Sequence, residues 1–324
     1  MKRAFWPLIL TLVAVAIALN LMIGNAGFDL TSEGSQFAIV NVRLPRVLIG
    51  LSVAVASAFG TVLLGLALRT DIAEPALFGI NSFAALGSIV AMLGGFGFAS
   101  VGAWLLAAAC VTLALLPLSL VDRHRAKNQL RHSSLGRTEL ALVGIAVGAF
   151  ATALVGLAAS ASPDPRLRSL STWAFGTLAL VDLDKAQMIF GLTLLLATAA
   201  LVLSKSLAPL ALGRSWMLGL GDSFTAKAAL ALGLVGLLSA SSAFATGSVG
   251  FVGLLGAILG SRLTNGSLRQ RLLAAAGISS ALVLFADLAA RTIAPPFELP
   301  IGVFTSLIGA PALAWVLIKG ARRA

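Results

Sequence analysis

Side chains able to hold protons, metal ions or phosphate are scarce in the apolar segments of this chain. Asp287 and Arg291 stand four residues apart, which puts them on one helix face. They read as an internal ion pair rather than a proton relay, although an intramembrane carboxylate is what an ion-coupled carrier would use. His124 and His132 both lie in the basic stretch 122–137, which reads as a solvated face, and Cys110 stands alone in an apolar run. That set supports neither a metal site nor an internal disulfide. HExxH is absent, no serine is credibly placed beside a histidine, and no lysine closes a G-x-x-x-x-G-K-[ST] loop. If ATP drives this protein, another chain binds it. Two polar interruptions stand out. The stretch Leu68 to Ser82 carries Arg69, Asp71, Glu74, Asn81 and Ser82 into a new apolar run. The stretch Leu207 to Lys227 is too apolar for a flexible linker, and it reads as short helices along a membrane surface, offered to a partner.

The elements that must position these residues follow from composition. Of 324 residues 59% are hydrophobic and only 11% charged, and the mean hydropathy is +1.01. A soluble domain carries about 25% charged residues, so the chain reads as an all-α polytopic membrane protein. Apolar runs long enough for spans fall at about 5–23, 47–68, 79–97, 101–121, 139–160, 186–204, 226–245, 249–263, 272–290 and 300–318. Ten spans leave short loops and a single transmembrane domain over 1–324. The first run is too long for a secretory signal and reads as span one. With both termini inside, Arg43, Arg46, Arg166, Arg168, Lys185 and Arg291 fall outside, and the rest of the 23 Lys and Arg fall inside. That bias orients membrane proteins. The net charge of +11 is therefore assigned to the membrane rather than to nucleic acid. Pro45 and Pro300 open spans two and ten, where a missing N–H is harmless. Gly144-xxx-Gly148 and Gly256-xxx-Gly260 read as helix-packing faces.

Six ordered blocks resemble the FecCD-type permease family, the membrane subunits of ABC importers for iron–siderophores, haem and cobalamin. Arg43-Leu44-Pro45-Arg46 is similar to the family's RLPR block, and Ala73-Glu74-Pro75 with Leu77-Phe78-Gly79-Ile80-Asn81-Ser82 to its AEPxLLGVSS stretch. Leu142 to Ala146 resembles LAGIA, Trp173 to Gly176 resembles WxxG, and Gly250 to Leu254 resembles GFIGL. Ala286-Asp287-Leu288-Ala289-Ala290-Arg291 leads to Glu298-Leu299-Pro300-Ile301-Gly302-Val303, the most specific block.

The resemblance implies a cobalamin-importer-like permease fold in a bacterial cytoplasmic membrane. It implies outward-facing Arg43, Arg46 and Arg291 that dock a substrate-binding protein, exposed as forks for carboxylates. It implies coupling to ATPase subunits through the loop 205–227, with Ala211, Leu212, Gly213, Arg214, Leu220 and Gly221 in the coupling positions. Asn81, Ser82, Asp287, Pro300 and Gly302 take pathway or structural places. The expected assembly is a second permease chain, identical or different, two ATPases that hold ATP and Mg, and an extracytoplasmic binding protein. No metal and no cofactor is expected on this chain, and no enzymatic activity. Arg214 stands where the family has an acidic residue, Phe83 where it has glycine, and the usual Pro-His after Leu254 is missing. Pairing with a second, more typical permease chain would accommodate those departures. The expected cargo is a ferric siderophore, with haem or cobalamin as alternatives. From other classes, an ion-coupled secondary transporter or a non-transporting scaffold would share the span count.

Overall fold

The computed structural model describes residues 2–24, 27–28, 33–70, 73–96, 102–113, 135–161, 176–179, 181–264, 266–293 and 298–321. The basic stretch 122–134, with both histidines, the pair Asp71 and Ile72, and the Trp173–Phe175 motif lie outside the described residues.

The described residues form helices joined by short turns and irregular segments, with strand structure only in a short hairpin that pairs Ile23 with Phe28. Helix α1 covers Lys2–Met22, α2 Glu33–Ala38, and a π turn Ile39–Arg43 leads into α3, Leu44–Leu68. Then come α4 (Ile80–Leu93), α5 (Gly102–Leu113), α6 (Leu135–Ala161) and α7 (Leu183–Leu207). A 3-10 turn, Ala208–Leu212, precedes the six-residue α8, Arg214–Gly219. The chain ends with α9 (Phe224–Thr246), α10 (Val252–Leu263), α11 (Leu268–Thr292) and α12 (Ile301–Ala321). Five segments are long and apolar enough to cross a bilayer alone: Phe5–Met22, Gln36–Leu68, Leu183–Leu212, Phe224–Phe244 and Leu268–Thr292. Five shorter apolar helices accompany them: Ile80–Ala91, Gly102–Leu113, Ala146–Leu157, Val252–Leu263 and Ile301–Ala312.

Helix α3 is the hub. Its span is 78% buried against 17% for α1, and α7, α9, α10 and α11 all pack on it. Its sequence explains this, because Gly50, Ser52, Ala54, Ala56, Ala58 and Gly60 keep its surface thin. In lipid, where helices gain little from hiding apolar area, close approach supplies the van der Waals contact that holds them together. The Gly-xxx-Gly pairs act in that way. Gly148 meets Gly79, where an added Cβ would fall 2.7 Å from the opposing Cα, and Gly256 and Gly260 lie on α11 at Ala275. Pro45 sits at the start of α3.

Helices α3 and α11 each have 25 residues, about 37 Å at 1.5 Å per residue, enough to cross the roughly 30 Å hydrocarbon layer. They run antiparallel: Arg46 at the start of α3 meets Asp287 near the end of α11, while Arg69 after α3 shares a cavity with Arg271 at the start of α11. The two ends of this pair therefore lie at opposite faces of the bilayer.

Candidate functional site

At one end a buried charge cluster ties α1, α3 and α11 to the segment before α12. Asp287 Oδ2 is 3.3 Å from Arg291 Nε, one helical turn away, and its Oδ1 is 3.9 Å from Arg46 Nη1. The other Arg46 amino group bonds Glu298. Arg291 Nη2 donates to the side-chain oxygen of Asn20 at 2.7 Å and to its carbonyl at 3.1 Å. Asn20 is itself held by its amide, which donates to the carbonyls of Ala16 and Leu284. Arg43 donates to the carbonyls of Leu21 and Met22. These contacts overturn one expectation. Arg43, Arg46 and Arg291 are not exposed forks; they are 8%, 7% and 4% exposed. Asp287, Glu298 and Asn20 hold Arg46 and Arg291 away from water, and two backbone carbonyls hold Arg43, although the Nε atoms of Arg46 and Arg291 make no hydrogen bond. Glu298, with its side chain 35% exposed, is the part of the cluster that reaches outward. Asp287 is thus an ion-pair partner, not an isolated carboxylate. Pro300 leads directly into α12, whose first N–H, that of Ile301, donates to Gly176, and Gly302 is buried in its first turn.

At the opposite end, Ala208–Leu212 and Arg214–Gly219 form two short helices broken by Gly213, whose φ of +91° lies in a region that favours glycine. The expected coupling positions all lie on this platform. Leu210 and Met217 anchor it inward with no exposure, while Leu212, Trp216, Leu218 and Leu220 point out, Trp216 at 71%. Two short helices with inward anchors make this segment an ordered surface feature carrying an exposed apolar row, not an extended linker. Gly221, φ +72°, and Asp222 turn the chain back. The Asp222 carboxylate pairs with Lys227 and accepts the Ser223 N–H, which hold it below the usual carboxylate range. Arg214 is half-buried beside the buried Gly213.

Between the ends, several polar groups of the described helices bond one another, while Ser239 Oγ and Trp104 Nε1 are buried without a hydrogen-bond partner. Asn81 donates to Ser248 at 3.3 Å, Ser82 and Thr152 share a hydrogen bond of 2.8 Å, and Thr193 meets Ser241 at 3.4 Å. Among the described residues, no group of three or more His, Cys, Asp or Glu side chains could hold a metal.

Glu74 has a structural role that its sequence context alone does not reveal. Glu74, 1% exposed, accepts from Thr61 Oγ1 at 3.1 Å and from the backbone N–H groups of Phe251 and Leu254. Phe251 precedes α10 in a left-handed conformation, φ +67°, and offers no side-chain cap of its own. Glu74 therefore caps α10 from another part of the chain, with a carboxylate at the positive helix end. The signal available beforehand was a lone acid before Pro75 inside an apolar stretch.

The FecCD transport family model matches residues 6–319. The hemin transport system permease protein HmuU of Yersinia pestis is 32% identical over 301 residues, 89% of this chain and 85% of its own. The vitamin B12 import system permease protein BtuC of Salmonella typhi is 32% identical over 327 residues, 99% of this chain and 97% of its own. Among solved structures, an inward-facing transporter described as of the metal-chelate ABC type superposes with a TM-score of 0.81 at 26% identity, covering 98% of this chain and all of that one. PsaBC from Streptococcus pneumoniae, in complex with Fab, shares the fold at a TM-score of 0.51 and 17% identity.

Proposed function

The chain belongs to the FecCD transport family, and from that premise we propose that it carries a ferric siderophore through a bacterial cytoplasmic membrane by alternating access. It is an ABC importer permease; the cargo, the mechanism and the partners are the parts proposed. The single observation that carries the reading is the match along nearly the whole chain, joined to a fold whose two ends differ in chemistry. The charge-cluster end suits a soluble binding protein, and the apolar platform suits an ATPase that supplies the work. A second permease chain completes the path. With the bias of Lys and Arg, the platform end is cytoplasmic.

Because Arg43, Arg46 and Arg291 are sunk and internally paired, docking requires the partner's carboxylates to replace Glu298 at Arg46. Charge complementarity then steers and registers the partner. Haem and vitamin B12 are the second reading, favoured by the names of the two relatives above. Uptake of radioactive ferric siderophore, haem and cobalamin by cells with and without this chain separates the three. A strain with a Walker-lysine substitution in the partner ATPase is run alongside. Loss of siderophore uptake in both strains is the expected outcome. Loss of haem or cobalamin uptake alone would replace the cargo, and uptake indifferent to the ATPase would sink the importer mechanism.

A further inference from the structure

We propose that the open cavity between the end of α3, the end of α10 and the start of α11 is a phosphate-group site, occupied in the bilayer by the head group of an anionic phospholipid. The cavity measures about 500 Å³, and Arg69, Arg262 and Arg271 line it with the hydroxyls of Thr70 and Ser261. Among the described residues, no carboxylate pairs with any of the three arginines. Three guanidiniums around one space repel each other until an anion enters, and their planar forks fit phosphate oxygens in pairs.

Helix-end electrostatics does not account for all three. Arg69 and Arg262 follow or close the carboxyl ends of α3 and α10, where a cation is favoured. Arg271 is the fourth residue of α11, near its positive end, in a first turn with no acidic residue. A cation there is disfavoured unless an anion sits with it. Arg69 has φ +56° and ψ +42°, a conformation that glycine adopts freely and other residues adopt at a cost. The chain keeps an arginine there, with its guanidinium laid over Gly213 so closely that a Cβ at 213 would be 2.7 Å from Cζ. Packing thus aims the head group rather than leaving it to wander.

The depth fits lipid. The Arg262 guanidinium lies 5.7 Å above the Trp315 ring, whose indole is 53% exposed, an arrangement suited to the head-group layer. Val62, Leu66, Ala257 and Ile258 supply apolar wall for a glycerol backbone. On the other side of the α11 start, a second cavity of about 480 Å³ carries Lys205 and Arg269 beside Val202, which is 79% exposed and so faces the acyl chains. Basic recesses of this kind between helices recognise acidic head groups.

The test uses the full chain in vesicles of equal phosphatidylglycerol and phosphatidylcholine, with native mass spectrometry after extraction. Wild type should retain phosphatidylglycerol selectively, and Arg69→Gln with Arg262→Gln and Arg271→Gln should weaken that retention by roughly a hundredfold. Arg271→Gln alone guards against a folding artefact: it removes a repulsive charge, so it should melt no lower than wild type in phosphatidylcholine while binding phosphatidylglycerol about fivefold less well. Equal retention of both lipids by wild type, or unchanged retention in the triple variant, overturns the site. Inorganic phosphate that displaces the lipid and raises the melting temperature in phosphatidylcholine would make it a soluble-anion site and overturn the lipid assignment. Displacement by polyglutamate but not by phosphate would overturn it in favour of an acidic protein partner.

Discussion

Replacing Asp287 by Asn tests whether burial or proximity sets the strength of this chain's ion pairs. Asp287 is 5% exposed, 3.3 Å from Arg291 and 3.9 Å from Arg46. Without its charge, three guanidiniums share a buried site with Glu298 alone. Removing one partner of a buried pair costs about 3–5 kcal/mol, because the remaining charge stays desolvated. Coulomb attraction of about 4 kcal/mol at 4 Å, at the effective dielectric of such sites, gives the same order. The control is Asp182→Asn. Its pair with Lys185 is shorter, 2.9 Å, but the side chains are 77% and 33% exposed, so the loss should be about 0.2–1 kcal/mol. Unfolding free energies of the purified chain in bicelles, measured by steric trapping, read both. In Asp287→Leu with Arg291→Leu, Arg46 keeps Glu298 and Arg43 keeps its two backbone carbonyls. The double variant should therefore lose less than the sum of the single ones, by at least about 1 kcal/mol. If Asp287→Asn costs no more than Asp182→Asn, or if the cycle is additive, the cluster is not a mutually dependent buried network and the argument fails.

Glu74→Ala leaves the N–H groups of Phe251 and Leu254 without their buried acceptor and should cost about 2–4 kcal/mol; Glu74→Gln, which can still accept, should cost less than half of that in the same assay. Gly148→Val pushes a branched side chain into Gly79 and should cost about 1–3 kcal/mol by overpacking, read as a lower melting temperature. Trp216→Ser, at an exposed position, should leave unfolding within about 0.5 kcal/mol of wild type. It should also weaken ATPase binding about thirtyfold, as loss of an aromatic anchor does, measured by co-purification titration; unchanged binding would remove Trp216 from the docking surface.

The helical membrane fold was legible because it rests on composition and run length, which sequence displays directly. The apolar excess forbids a soluble surface, and the Gly144-xxx-Gly148 and Gly256-xxx-Gly260 pairs announce close neighbours. The inward side of Leu207–Lys227 was legible for a similar reason, since a loop that apolar must lie against something. The state of the arginines was not. A guanidinium can be exposed or sunk, and the choice depends on partners far along the chain, Glu298 for Arg46 and Asn20 for Arg291, each more than 250 positions away. Glu74 was hidden in the same way: its donors are Thr61 and two backbone groups near residue 252, and backbone donors leave no mark in a sequence.

The distribution of charge has a consequence for selectivity. Among the described residues, the paired ions sit at one end of α3 and α11, at the start of α7 and on the loop after the platform. Between those ends, apart from the buried Glu74 that caps α10, the polar groups are amides and hydroxyls, several of them bonded to each other. A fixed charge midway would cost about 2.5–3.5 kcal/mol to insert, and it would hold an oppositely charged cargo back from release. Self-satisfied Asn81–Ser248 and Ser82–Thr152 pairs present weak, exchangeable donors instead, which suit passage better than capture. A permease built in this way gains little by discriminating between cargoes in its own walls. Under the importer reading, discrimination falls to whatever displaces Glu298 from Arg46. Arg46→Gln should therefore lower uptake of every cargo alike, through weaker docking, without changing the ratio between two competing chelates; a changed ratio would place part of the selectivity in this chain.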